Sequence, residues 1–577
     1  MRKMSGRPGT ILPCGLLLCT MGLLLLVLNA CGGSSANQTG PNFQISAAAL
    51  SPATVNPGKP ATSTVTVTAM AGFSGSVALA CSGLPSGASC AFVPASVAGS
   101  GTSKLTISTS GTTTPGSYPV GVQGSSGSTD NSAPLSLIVQ SVIQHVVIIF
   151  QENRTPDNLF QDPVLVARGA DIQNYGIDSN GDKIPLTPIT LSTDYDMGHS
   201  HKSFLLAYDN GKMDGADLDT VTCNPGAPSC PQPDPEYRYV QASDVAPYFQ
   251  LAETYTFGDR MFQTNQGPSF PAHQFIISGT SAPTPPGDQN SDLFDAENPA
   301  GSASFLGDTG CTAPAVEVVN MIDPGGSESI EMYPCFDHPT LTDIFDTAKI
   351  SWRYYAPSPG SIWTGPNAIQ HLCVPNVPPP NGASCTGPDW INNVILKNTQ
   401  VLTDIANGQL ASVSWVIPTG QESDHASINN GTGPSWVASV VNAIGNSPYW
   451  SNTAIIITWD DWGGWYDHVP PPAIINSYEY GLRVPMIVVS PYAKPAYISH
   501  QVNDFGSILK FIEGNFGVGT VAPGASPAYA DATTNTFDLS DCFDFNQTPL
   551  TFQTIPAAKD AKYFLEDKTP PSDPDDD

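Results

Sequence analysis

Two near-continuous apolar runs constrain this 577-residue chain most. Val142-Ile143-Gln144-His145-Val146-Val147-Ile148-Ile149-Phe150 and Thr453-Ala454-Ile455-Ile456-Ile457-Thr458-Trp459 are rich in β-branched residues and lack the polar alternation of a half-exposed strand. A strand without a polar face must be covered on both sides, as in the middle of a parallel sheet flanked by helices. A third run, Val484-Pro485-Met486-Ile487-Val488-Val489, carries its proline near the start, where a strand tolerates the missing N–H. Helical stretches are expected at 246–253, 342–348, 437–444 and 505–516. Buried strands alternating with helices across residues 141–568 predict an α/β domain with a mostly parallel sheet.

Residues 43–140 have a different texture. Thr64-Val65-Thr66-Val67-Thr68 alternates strictly, and shorter pieces at 77–79, 105–107, 118–122 and 135–139 keep the same period. Turn signals such as Asn56-Pro57-Gly58 and Thr114-Pro115-Gly116 separate them at the spacing of a β-sandwich. The segment holds almost no charge and no histidine or carboxylate cluster. It resembles an immunoglobulin-like sandwich of the kind that spaces bacterial enzymes from a cell surface.

The N-terminus has the three parts of an export signal. Arg2, Lys3 and Arg7 are followed by an apolar stretch to Leu28, then Asn29-Ala30-Cys31-Gly32. Residues 1–30 resemble a bacterial lipoprotein signal in which Cys31 is acylated, with Asn29 where a small residue is usual. The expectation is an exported protein, lipid-anchored in the cell envelope or secreted after cleavage near the same place. A linker at 31–42 leads into the sandwich, and the acidic, proline-rich tail at 569–577 is expected to be disordered. No later stretch reaches the roughly eighteen apolar residues of a membrane span.

Charge narrows the partners. With 51 Asp+Glu against 21 Lys+Arg the net charge is −30, which repels nucleic acid and anionic headgroups. No nucleic-acid partner is expected, and membrane contact is expected only through the N-terminal anchor. Of 12 cysteines, Cys14, Cys19 and Cys31 belong to the signal region. Cys81 and Cys90, Cys223 and Cys230, Cys311 and Cys335, and Cys373 and Cys385 are near neighbours in Gly/Pro-rich stretches, where local disulfides are favoured over a zinc site. Sequence alone does not fix the pairing, and Cys542 is left over.

The chemistry gathers at the ends of the apolar runs. The first ends in Gln151-Glu152-Asn153-Arg154 and the second in Asp460-Asp461-Trp462-Gly463-Gly464, followed by Tyr466-Asp467-His468. Ligands of open α/β sheets bind at the carboxyl ends of strands. Three carboxylates and an amide converging there repel one another unless a cation or protons compensate, and hard oxygen donors suit a divalent metal. Between the runs, Gly267-Pro268-Ser269-Phe270-Pro271 holds a serine in a stiff turn, as a nucleophile requires. His199, His201, His425 and His468 stand in polar contexts that fit a proton or phosphate donor. Arg154 is a further candidate donor or an ion-pair partner. Asp178-Ser179-Asn180-Gly181-Asp182 is read as a polar turn rather than a calcium loop, and Lys202 and Lys212 as solvated.

Taken together, these segments resemble the bacterial phosphoesterase family of non-specific phospholipases C and related acid phosphatases. The run His145 to Arg154 resembles that family's opening block, and Gln263 to Pro271 its nucleophile block. Thr453 to Val469 is similar to its acidic Gly-Gly block with the trailing Asp-His-Val, and Gly481 to Ala493 to its closing Arg-Val-Pro and Ser-Pro-Tyr-Ala block. The resemblance covers about 142–520 and implies an alkaline-phosphatase-like fold. It further implies one divalent metal ion held by Glu152, Asn153, Asp460, Asp461 and the Ser269 hydroxyl. Ser269 would attack phosphorus and form a phosphoseryl intermediate, with His199 or His201, His425 and His468 binding phosphate oxygens or protonating the leaving alcohol. The substrate would be a phospholipid or a small phosphomonoester. Ala272 and His273 depart from the Asn and Arg of many members, and Asp461 and Ser269 replace a common Glu and Thr. An alternative is a catalytically inactive cell-surface binding protein on the same fold; the intact set of five ligands argues against it.

Overall fold

An eight-stranded sheet organises the larger part of the molecule. Its strands are β1 (His145–Gln151), β2 (Thr256–Phe262), β3 (Trp352–Tyr355), β4 (Val394–Ile395), β5 (Val413–Val416), β6 (Thr453–Trp459), β7 (Arg483–Val489) and β8 (Tyr497–Ser499). They lie in the order β4-β3-β5-β1-β6-β7-β2-β8. The computed structural model describes residues 40–571 except Thr112, Ser229, Pro231, 301–308, 473–477 and 534–536. The expected signal segment, Cys31 and most of the acidic tail therefore lie outside the described residues.

β4, β3, β5, β1 and β6 run parallel, whereas β7 is antiparallel to both of its neighbours. The apolar patterning of β7 predicts a strand covered on both faces, which it is: every residue from Arg483 to Val489 is buried. Burial dictates that pattern whatever the strand direction, so the sequence carried no signal for the reversal. β2, β3 and β5 were not expected as strands. Their sequences, such as Trp352-Arg353-Tyr354-Tyr355 and Val413-Ser414-Trp415-Val416, are short and mix aromatic with polar residues. The four expected helices are present as Ala242–Thr254, Leu341–Ala348, Gly433–Gly445 and Phe505–Phe516, and their apolar faces join the strands in one core.

Register sets the geometry of the strand ends. Gln151 of β1 pairs with Trp459 of β6, so Glu152-Asn153 and Asp460-Asp461 leave the sheet side by side. Phe262 at the end of β2 pairs with Arg483 at the start of β7, which brings the Gln263–Ser269 connection to the same edge.

Residues 42–139 form two packed antiparallel layers. One sheet contains Asn42–Ala47, Pro60–Met70, Gly101–Thr109 and Ala88–Val93; the other contains Thr129–Val139, Gly116–Ser126, Ser76–Ser82 and Ser96–Ala98, with Thr54–Val55 added in parallel. Val65, Leu105 and Ile107 of the first meet Val77, Val120 and Leu137 of the second in a separate core. The alternation read at 64–68 is the inward–outward alternation of one long strand. Cys81–Cys90 ties the two sheets together, and Cys223–Cys230, Cys311–Cys335 and Cys373–Cys385 close local loops. Cys542 is buried and unpaired. Among the described residues no helix is long and apolar enough to cross a membrane.

Candidate active site

Each residue of the site is delivered by a strand end or by the turn that follows it. Glu152 and Asn153 follow β1, Asp460 and Asp461 follow β6, and Ser269 opens the helix Ser269–Ser278 beyond β2. Pro268 supplies an extended residue just before that helix, and Asn265 Nδ2 donates to the carbonyls of Gly267 (2.9 Å) and Pro268 (3.2 Å). Gly267 is required by close approach: a Cβ there would meet the Ala296 carbonyl oxygen at 2.2 Å. These contacts leave the serine little freedom, as its Gly-Pro setting predicts.

The structure brings the five expected ligands together. Ser269 Oγ donates to Asp461 Oδ2 at 3.2 Å, the Asn153 N–H donates to Asp460 Oδ1 at 3.0 Å, and Asp461 Oδ1 accepts from Gly463 N at 2.7 Å. Glu152 and Asp460 offer oxygens within 4.8 Å of each other and of His273. All are buried. Among the described residues, Glu152 Oε2, Asn153 Oδ1 and Asp460 Oδ2 have no hydrogen-bond donor. Burial first, and then the Asp460 and Asp461 carboxylates, push Glu152 well above the usual carboxylate range. Burial and then Asp460 do the same to Asp461. His273 Nε2 lies 3.3 Å from Glu152, but burial lowers that imidazole to about 4, so it is neutral at ordinary pH and leaves Glu152 unrelieved. Orphaned, buried oxygen acceptors from three carboxyl or amide groups fit a hard divalent cation, and the donor set passes that test.

The histidines divide. His199 Nε2 lies 3.0 Å from Asn153 Nδ2, so His199 touches the site through an expected ligand. The His425 ring centre is 5.6 Å from that of His199, and its Nδ1 is 2.8 Å from the Ala426 carbonyl oxygen. His201 Nε2 meets Gln266 Oε1 at 3.3 Å, on the turn before the serine, while its Nδ1 pairs with Glu328. His468 is separated from these. Its Nδ1 is 2.7 Å from Asp157 and its Nε2 3.1 Å from Asp171, so both ring nitrogens are committed to carboxylates and neither is directed at Ser269. His468 instead belongs to a second cluster, in which Arg483 Nε donates to Asp467 Oδ1 at 2.8 Å and its Nη2 lies 3.5 Å from Asp157 Oδ1.

Arg154 is engaged by the chain itself. Its Nε donates to the Asp424 carbonyl (2.8 Å), Nη2 to Leu191 O (3.0 Å) and Nη1 to Asn158 Oδ1 (3.2 Å), with the guanidinium over Trp465. It pins the 424–425 segment. Asp424, raised to about 6 by burial, is held by the Tyr248 hydroxyl and the Trp459 indole. Lys202 is exposed and Lys212 pairs with Asp209 at the surface. Residues 178–182 form the expected polar turn, closed by Asp178 Oδ1 accepting from Asp182 N. Sequence reasoning missed the supports Asn265, Asp157, Tyr248 and Asn298, whose Oδ1 accepts from Phe270 N at 2.9 Å. Arg483 carried a signal, a charge at the head of a wholly apolar strand, that went unused.

A model of the Phosphoesterase family matches residues 143–519, well over half of the chain. The chain belongs to the phosphoesterase family. This phosphoesterase-family chain is 23% identical over 465 residues to a hemolytic phospholipase C of Pseudomonas aeruginosa, covering 70% of the chain and 57% of the relative. A non-hemolytic phospholipase C of the same organism is 24% identical over 455 residues, with the same coverage. Phospholipase C B of Mycobacterium tuberculosis is 30% identical over 170 residues, covering 25% of the chain and 32% of the relative. The phosphoesterase chain thus spans little more than half the length of the Pseudomonas relatives it matches. The two-layered unit at 42–139 lies outside the family match.

Proposed function

We propose that this phosphoesterase-family protein hydrolyses phosphate esters with Ser269 as nucleophile and one divalent cation as cofactor. One observation carries the reading: Ser269 Oγ sits 3.2 Å from Asp461, in the same buried cluster as the orphaned Glu152 Oε2, Asn153 Oδ1 and Asp460 Oδ2. Glu152, Asn153, Asp460 and Asp461, with the Ser269 hydroxyl, would hold the cation. When bound, it supplies charge neutralisation and Lewis acidity for the phosphoryl group.

The protein's own residues supply the rest. Ser269 attacks phosphorus, a phosphoserine ester forms, and the alcohol leaves; water then cleaves the ester and restores the serine. Asp461 Oδ2, which accepts the serine hydroxyl hydrogen bond, is the atom available to take that proton. The serine's place in the first turn of the helix Ser269–Ser278 puts the positive end of the helix dipole beside the incoming phosphate. Of the histidines, His425 is our choice for returning a proton to the leaving alcohol, since His468 is committed elsewhere. The named activity of the relatives makes a phospholipid the first substrate to try and a small phosphomonoester the second.

In the same reading the catalytic unit is alkaline-phosphatase-like and the N-terminal unit an immunoglobulin-like spacer, joined to an exported, Cys31-anchored terminus. The test is to quench a reaction with acid and map covalent phosphate by mass spectrometry, on phosphatidylcholine and a phosphomonoester in parallel. Phosphocholine on Ser269 is expected from phosphatidylcholine, and phosphate on Ser269 from the phosphomonoester. Turnover with neither adduct on the Ser269 peptide would remove the covalent route.

A further inference from the structure

Asn153 has a φ of 60°, in the left-handed region that a non-glycine residue occupies only at a cost. That conformation fixes where its side chain leaves the backbone but not which way round the amide sits. Nδ2 lies 3.0 Å from His199 Nε2, while Oδ1 is buried without a donor. The imidazole decides between the two orientations. His199 Nδ1 is 2.9 Å from the Met197 carbonyl oxygen, and a carbonyl can only accept, so Nδ1 carries the proton. An amide nitrogen can only donate, so Nε2 accepts from Asn153 Nδ2 and Oδ1 is left at the other end of the amide.

The glycines after Asp461 make this arrangement possible. A Cβ on Gly463 (φ 62°) would meet the Asn153 carbonyl oxygen at 2.4 Å. On Gly464 (φ 70°) it would meet Met197 Cβ at 2.5 Å and the Gly198 carbonyl oxygen at 2.8 Å. Met197–His199 and Asn153 therefore close on the same loop only because two side chains are missing from it.

We infer that His199 is a positioning residue: its tautomer, set by the Met197 carbonyl, orients the Asn153 amide so that oxygen and not N–H faces the cation. The inference rests on the cation-binding reading above and departs from the expectation that His199 serves phosphate. An inverted amide would aim its N–H groups at a positive charge, replacing a ligand with a repulsion. Groups behind a ligand that fix its orientation change metal affinity, not only turnover.

The test titrates chelator-stripped full-length protein with Mn²⁺ and measures free Mn²⁺ by electron paramagnetic resonance. His199→Phe is expected to weaken binding about 10–100-fold. Asn153→Asp has two equivalent oxygens and needs no orienting, so adding His199→Phe to it should change Kd by less than about threefold. An unchanged Mn²⁺ affinity in His199→Phe with slowed hydrolysis would overturn the inference, as would an equal loss in both backgrounds. The ¹⁵N spectrum of the wild-type imidazole tests the same point without a variant: protonated Nδ1 and bare Nε2 are expected, and the reverse tautomer overturns the inference. Wild-type protein that binds no Mn²⁺ would instead remove the cation reading on which it rests.

Discussion

Asp460-Asp461 and Asp467-His468 stand on one loop after β6, yet the two carboxylate clusters they enter are built differently. In the second, the buried guanidinium of Arg483 lies against Asp467 and Asp157 and donates to the Asp171 and Asp259 carbonyls. Its charges are answered from within the chain. In the first, Glu152, Asp460 and Asp461 face a neutral histidine, a serine and an amide, and among the described residues three of its acceptors have no donor. Charge that the fold leaves unanswered marks a candidate ligand site, and charge answered by a buried cation marks candidate scaffold. The same residue types, similarly buried, thus stand in opposite electrostatic settings according to where one arginine sits.

The comparison can be broken most forcefully at the nucleophile. Ser269→Ala is expected to lower turnover of a chromogenic phosphate ester by at least about 10³-fold while circular dichroism and the melting transition stay unchanged. A rate within tenfold of wild type contradicts the role of Ser269. Next comes Arg483→Met, which leaves Asp467 buried without its cation and Asp157 with His468 alone. Chemical denaturation should report a loss of about 3–5 kcal/mol, and a loss below about 1 kcal/mol would refute the scaffold reading. Asp460→Asn is its mirror: with chelator present, removing one of three crowded carboxylates should leave stability unchanged or raise it by up to about 1 kcal/mol, while activity is lost.

Smaller effects sharpen the contrast. His468→Gln should keep hydrolysis within about tenfold of wild type and cost about 1–2 kcal/mol, reflecting its two carboxylate partners. Burial opposes the charged His468 ring, but the Asp157 carboxylate outweighs it and holds the pKa above the ordinary histidine value. A folded-state pKa above the unfolded one means the stabilisation is complete below about pH 6.5 and is lost as pH rises through the raised value. Denaturation of chelated wild-type protein should weaken across that window, and His468→Gln should flatten the slope. Equal slopes would show that His468 does not titrate in the fold.

Much of this was legible in the sequence because it depends on strand ends. The apolar runs at β1 and β6 place Glu152-Asn153 and Asp460-Asp461, and their register makes the two pairs adjacent. The stiff Gly-Pro-Ser turn and the local disulfides were equally readable, since both follow from neighbours in the chain. The reversal of β7 was not, because burial on both faces looks alike in either direction. Nor was the fate of His468: an Asp-His pair beside an acidic loop reads as chemistry until Asp157 and Asp171, distant in sequence, take both ring nitrogens. Arg154 followed the ligand pair and still turned to backbone carbonyls. Contacts made by side chains from separate segments have no local signature.

Metal content measured on purified protein, side by side for wild type, Asp460→Asn and His468→Gln, tests the central claim most directly. The account predicts one equivalent of divalent metal in wild type, one in His468→Gln and almost none in Asp460→Asn. Metal retained in Asp460→Asn, or lost in His468→Gln alone, would contradict it.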